Sequence, residues 1–107
     1  MIIRLWIYRT LVEHAERFEE FERRVGLPMV KGQPGCLSVE LLRLRPTTGD
    51  DQKEVEYNML SRWESAEAML TARNSQAWKD EVALFIAQGF GEGNGETKHF
   101  EQLELVQ

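Results

Sequence analysis

Residues 55–73 read VEYNMLSRWESAEAMLTAR. They change period in the middle. Val55, Tyr57, Met59 and Trp63 fall on alternate positions, the spacing of a strand with one buried face. After Trp63 the stretch Glu64-Ser65 carries a carboxylate and a hydroxyl, and Ser65 is placed to cap a helix over 66–73, with Glu67 in its first turn. A strand that passes straight into a capped helix fixes the phase of its neighbours.

Upstream, CLSVELLRLRP at 36–46 reads as a second strand, and the polar segment 47–54, TTGDDQKE, as the turn joining it to 55–63 in a hairpin. Residues 2–10, IIRLWIYRT, form a first strand with Ile3, Leu5 and Ile7 on one side and Arg4, Trp6 and Tyr8 on the other. Between them Val12, Ala15, Phe18, Phe21 and Val25 recur every three or four places, which predicts a helix over 12–25. Glu13–Arg17, Glu19–Arg23 and Glu20–Arg24 stand at i,i+4 with the acid first. Gly26 and Pro28 are expected to weaken or kink its end, with a short continuation through Met29 and Val30 before the Gln33-Pro34-Gly35 turn. Downstream, Asn74 or Ser75 caps a helix bearing Trp78, Val82, Phe85 and Ile86, residues 89–96 (GFGEGNGE) form a flexible loop, and 98–106 form a last strand.

The order is β-α-β-β-α-β, which predicts a single α+β domain over 1–107: a ferredoxin-like four-stranded antiparallel sheet with helices on one face. The strands carry apolar residues on both faces, and Leu42 and Leu44 oppose Leu37, Val39 and Leu41. Helices cover only one face, so a homodimer joined sheet to sheet is expected.

Composition narrows the function. Eighteen acidic residues against thirteen basic ones give a net charge of −5, with no basic cluster, and this argues against a nucleic-acid partner. MIIRLWIYR is too short and too interrupted for a signal peptide, and no apolar run is long enough to span a bilayer. The lone cysteine, Cys36, excludes an intrachain disulfide and fits the cytoplasm. It reads as a buried apolar thiol. No HExxH, Cys/His cluster, GxSxG or GxGxxG is present, so no metal or nucleotide cofactor is expected. What remains is a set of aromatic residues: Trp6, Tyr8, Tyr57, Trp63 and Trp78. They are either core or the walls of a flat pocket for an aromatic ligand, with Asn58, Arg62, Arg73 or His99 as polar contacts.

Three stretches, QPGCLSVELLR at 33–43, YNMLSRWES at 57–65 and NSQAWKDE at 74–81, together with RFEEFER at 17–23, resemble the antibiotic biosynthesis monooxygenase family over almost the whole chain. The resemblance implies a dimeric α+β barrel with a cavity between sheet and helices in each subunit. Some members oxidise anthrones or quinols with O₂ and neither metal nor flavin; others degrade heme. Where the heme-degrading branch has asparagine, tryptophan and histidine, this chain has Trp6, Ala72 and Val82, which disfavours heme. The resulting expectation is a cofactor-independent monooxygenase acting on a polyphenol, quinol or anthrone. Trp6, Tyr8, Tyr57, Trp63 and Trp78 would bind substrate, Asn58 or Arg73 would hold the oxyanion, and His99 would move protons. The alternative is a dimeric barrel without catalysis that binds a small apolar ligand or serves in a stress response.

Overall fold

A computed structural model of the chain describes residues 1–45, 53–90 and 95–107. Most of the polar turn expected at 47–54, and positions 91–94 of the glycine loop, lie outside the described residues.

Strand β1 spans Ile2–Leu11, β2 Cys36–Arg43, β3 Glu54–Trp63 and β4 Glu96–Glu101. They form one antiparallel sheet in the order β2-β3-β1-β4, as the ferredoxin-like arrangement requires. Strand β3 alternates in burial along its whole length: Val55, Tyr57, Met59, Ser61 and Trp63 are buried, and the residues between them are not. The register sets Arg4, Trp6 and Tyr8 of β1 opposite Ser61, Met59 and Tyr57, so these six share the helix-facing side of the sheet. Aromatic rings fill one part of that layer. Phe18 is fully buried, 4.5 Å from the Tyr57 ring and 5.1 Å from Tyr8, with Phe85 and Phe90 meeting it edge-on. A second cluster gathers Val30, Cys36, Met59, Trp63, Met69 and Ala72.

Two helices are capped as the sequence indicates. Ser65 Oγ accepts from the Ala68 N–H at the start of α3 (Ala66–Arg73), and Ser75 Oγ accepts from the Trp78 N–H at the start of α4 (Gln76–Ala87).

The first helical stretch is irregular near Gly26 and continues through Met29 and Val30, as expected, but it begins with a 3₁₀ turn and passes through a π turn. A 3₁₀ turn (Val12–His14) leads into α1 (Ala15–Phe21), then a π turn (Glu22–Gly26), then α2 (Leu27–Lys31). The Leu27 N–H donates to the Glu22 carbonyl, five residues back. A continued α-helix would drive the Pro28 ring against the Arg24 carbonyl; the wider turn relieves that clash. Of the expected i,i+4 pairs Glu20–Arg24 forms, at 3.7 Å; Glu20 also meets Arg23, and Glu19 reaches Arg43 of β2 at 3.2 Å.

Two strand assignments are corrected as well. The last strand ends at Glu101, and Leu103, Leu105 and Val106 beyond it are largely exposed. In β2 the register shifts between Cys36 and Ser38, so Leu37 is the extra residue of a bulge and is exposed, not aligned with Val39 and Leu41.

The turn into β2 depends on Gly35. Its φ is +87°, and a Cβ there would stand 2.6 Å from Ala68 Cβ in α3. Gly35→Ala therefore meets both backbone strain and a collision, and is expected to cost about 2 kcal/mol, read as a lower urea midpoint with unchanged slope.

Candidate functional site

Three elements converge beside the aromatic layer. Strand β1 supplies Arg4 and Trp6 on its helix-facing side. The π turn supplies Glu22 and Gly26. Helix α4 supplies Trp78, Glu81 and Phe85, spaced three and four residues apart and so set along one face. With Met29 and Met59, they line a partly open cavity of about 250 Å³. That volume suits a small planar molecule.

The walls are rings. Trp6 stacks on Tyr8 at 5.1 Å, and Phe85 meets Trp6 edge-on at 5.8 Å. Arg4 lies over the Trp78 ring, its Cζ 5.1 Å from the centroid, in cation–π geometry.

Three charged groups sit in this apolar setting. Glu22 is 1% exposed, and its Oε2 has no hydrogen-bond partner. Burial, then the neighbouring charge of Glu81, pushes its carboxyl up to about 8. Glu81 is raised to about 7 by burial, with Arg4 pulling the other way. Arg4 is lowered to about 10 by burial and by Arg73, and its Nε is likewise without a partner. Glu22 follows the fully buried Phe18 by four residues, so α1 already carries it to the inner face where the π turn begins. Gly26 is what makes room for its side chain, because a Cβ at that position would collide with Glu22 Oε2.

The residues expected from sequence separate into groups. Trp6 and Trp78 line the cavity. Tyr8 stands behind Trp6, buried, its hydroxyl donating to the Phe90 carbonyl at 2.7 Å. Tyr57 points away to a polar cleft where its hydroxyl donates to Glu19 Oε2 at 2.5 Å. Trp63 is fully buried in the second cluster, and its indole N–H donates to Ser61 Oγ at 2.9 Å. Asn58 and Arg62 occupy the other face of the sheet, because β3 alternates and its odd-numbered residues face the helices; Asn58 donates to Glu56 there. Arg73 ends α3, exposed, and influences Arg4 only through its charge. His99 pairs with Arg4 across β1 and β4 on the cavity side but is exposed, and burial together with Arg4 and Arg73 holds it below its ordinary range. Cys36 is buried, as expected, with its thiol pushed up by burial.

The charged groups that do line the cavity, Arg4, Glu22 and Glu81, were hidden in sequence. Arg4 alternates with apolar neighbours as a surface residue would, and both glutamates belong to charge-rich helices. The one signal was Gly26 four residues after Glu22, ahead of Pro28. Among the described residues no group of three His, Cys, Asp or Glu side chains is placed to hold a metal ion, and no helix is long and apolar enough to cross a membrane.

A four-stranded ferredoxin-like sheet with a ring-walled cavity under its helices defines a small α+β protein built around a ligand-sized chamber. Residues 1–84 match the family described as antibiotic biosynthesis monooxygenase, and the chain belongs to that family. Curated protein sequences give no match. Solved structures do. A candidate antibiotic biosynthesis monooxygenase from Deinococcus radiodurans is similar with a TM-score of 0.73 at 13% identity, over 100% of this chain and 97% of that one. HapK from Hahella chejuensis gives 0.70 at 16% identity, over 100% and 97%. An alanine variant of SnoaB from Streptomyces nogalater, a cofactor-independent oxygenase, gives 0.69 at 16%, over 98% and 96%. Likeness at these identities is likeness of fold.

Proposed function

We propose that the chain is a cofactor-independent monooxygenase acting on a hydroxylated planar aromatic, a quinol or anthrone. The observation that carries this reading is the cavity itself: ring walls from Trp6, Trp78 and Phe85, with the Arg4 guanidinium over one of them. A polyphenol that has lost a proton is electron-rich enough to reduce O₂. The protein then has to hold the ring, exclude bulk water and stabilise the anion, and a cation among indoles does the last of these.

The working unit in this reading is a homodimer. The outer face of the sheet bears Ile3, Leu5, Ile7 and Leu60 half-buried and Leu42 and Phe100 exposed, crossed by the Arg9–Glu56 and Arg62–Glu40 ion pairs. A second copy laid on this face would cover it, and light scattering is expected to give twice the 12.5 kDa chain mass.

Oxygen uptake is the test. Quinols and anthrones offered to the purified protein are expected to raise uptake above the buffer control. Trp78→Ala, which removes a wall and the partner of Arg4, is expected to lower kcat/KM by about tenfold or more. Saturable binding of such compounds with uptake at the control rate throughout a broad panel would leave a ligand-binding barrel in place of an enzyme.

A further inference from the structure

Glu22 is a carboxyl in an expensive position. It is buried to within 1% of its surface, one oxygen is unpaired, and no ion pair among the described residues engages it. A buried, unsatisfied carboxyl works against folding and calls for an explanation. The local backbone is shaped around it. The π turn begins at Glu22, and a Cβ on the glycine four residues later would stand 1.9 Å from its Oε2. Turns of this kind occur disproportionately at functional sites. Across the cavity Arg4 Nε is unpaired too.

We propose that Glu22 is the proton acceptor of the cavity, taking the proton of a phenolic or enolic hydroxyl while the Arg4 guanidinium binds the oxygen left behind. This rests on the reading of the cavity as a site for hydroxylated aromatics. In the step the ligand O–H bond breaks and a new O–H bond forms on the Glu22 carboxylate. The electron pair stays on the ligand oxygen as phenolate, and total charge is conserved. Glu22 becomes the neutral acid that its surroundings favour, so the burial that makes the free carboxylate costly drives the transfer.

The charged neighbours fit. Glu81 on α4 raises Glu22, Arg4 on β1 remains a cation, Tyr8 on β1 keeps its proton, and Arg73 and His99 lie beyond Arg4. With Glu22 at about 8 and Arg4 at about 10, the rate is expected to rise through pH 8 and decline toward 10.

A photoacid tests the transfer without any oxidation. 2-Naphthol becomes strongly acidic on excitation and emits as naphtholate wherever an acceptor, bulk water included, is within reach, so only the emission of the protein-bound fraction, selected by its anisotropy, is read. Bound to the wild-type protein at pH 8.5, it is expected to show naphtholate emission. Glu22→Gln is expected to return the emission to that of naphthol and to lower oxygen uptake by about a hundredfold. Gly26→Ala, which displaces the carboxyl without removing it, is expected to do the same; it covers the case in which Glu22→Gln folds poorly. Naphtholate emission that survives in both Glu22→Gln and Gly26→Ala, or a wild-type protein that does not bind 2-naphthol, overturns the proposal. The expected emission pattern in a wild-type protein without oxygen uptake removes the oxygenase reading and leaves the proton site standing.

Discussion

Trp63→Ala is expected to destabilise the protein by about 3–5 kcal/mol, a large share of the 5–15 kcal/mol that holds a domain of this size together. Trp63 is the largest fully buried side chain. It closes the lower cluster between Cys36 and Met59 on one side and Trp78 on the other, with its ring 6.4 Å from the Trp78 ring. Truncation removes that contact surface and leaves a void that close-packed neighbours fill only in part. It also strands the Ser61 hydroxyl, 1% exposed, which loses the indole N–H at 2.9 Å. Trp63→Phe keeps most of the apolar volume and is expected to cost about half as much or less. Urea unfolding followed by circular dichroism reads both. A loss below about 1 kcal/mol for Trp63→Ala would mean that the site collapses freely, contrary to the packing described.

That side chain also shows what was legible in the sequence. Its burial follows from its phase: Val55, Tyr57, Met59 and Trp63 repeat every second position, and a strand turns that period into one face. The same rule set the helix-facing side of β1 and the order of the elements, and the capping serines marked where α3 and α4 begin. Periodicity does not say which face residue packs and which lines a void. Trp6 and Trp63 are equal candidates on paper; the π turn and α4 leave space beside Trp6, whereas Met69 and Ala72 of α3 share a packed cluster with Trp63. Asn58 lies between Tyr57 and Met59 in the chain, yet the pleat carries it to the opposite side of the sheet. The π turn is less visible still. Its extra residue per turn comes from a backbone conflict at Pro28, and it shifts the phase of the residues that follow Glu22. The bulge at Leu37 shifts the phase of β2 in the same hidden way.

Between about pH 5 and pH 8 the protein is expected to lose stability as pH rises, the reverse of the usual behaviour for a carboxylate. An unfolded glutamate ionises near 4.5, whereas Glu22 in the fold holds its proton up to about 8 and Glu81 to about 7. Through this window the native state binds more protons than the unfolded one, so each pH unit costs up to about 1.4 kcal/mol for each carboxyl still protonated in the fold. Below 4.5 both states are protonated and the effect vanishes. His99, held below its ordinary value, acts in the opposite sense near the acid end, but it is exposed and its part is small. Arg4 stays charged in both states up to about 10 and contributes no slope here. Glu22→Gln removes the larger of the two carboxyl effects. At pH 8 it is expected to stabilise the protein by roughly 4 kcal/mol while flattening the profile, and the gain shrinks to under about 1 kcal/mol by pH 5. Urea midpoints at half-unit pH steps for the two proteins give the comparison directly. Parallel profiles for wild type and Glu22→Gln would mean that Glu22 ionises at its ordinary pH within the fold, and the case for it as a proton acceptor with a value near neutrality would go with it.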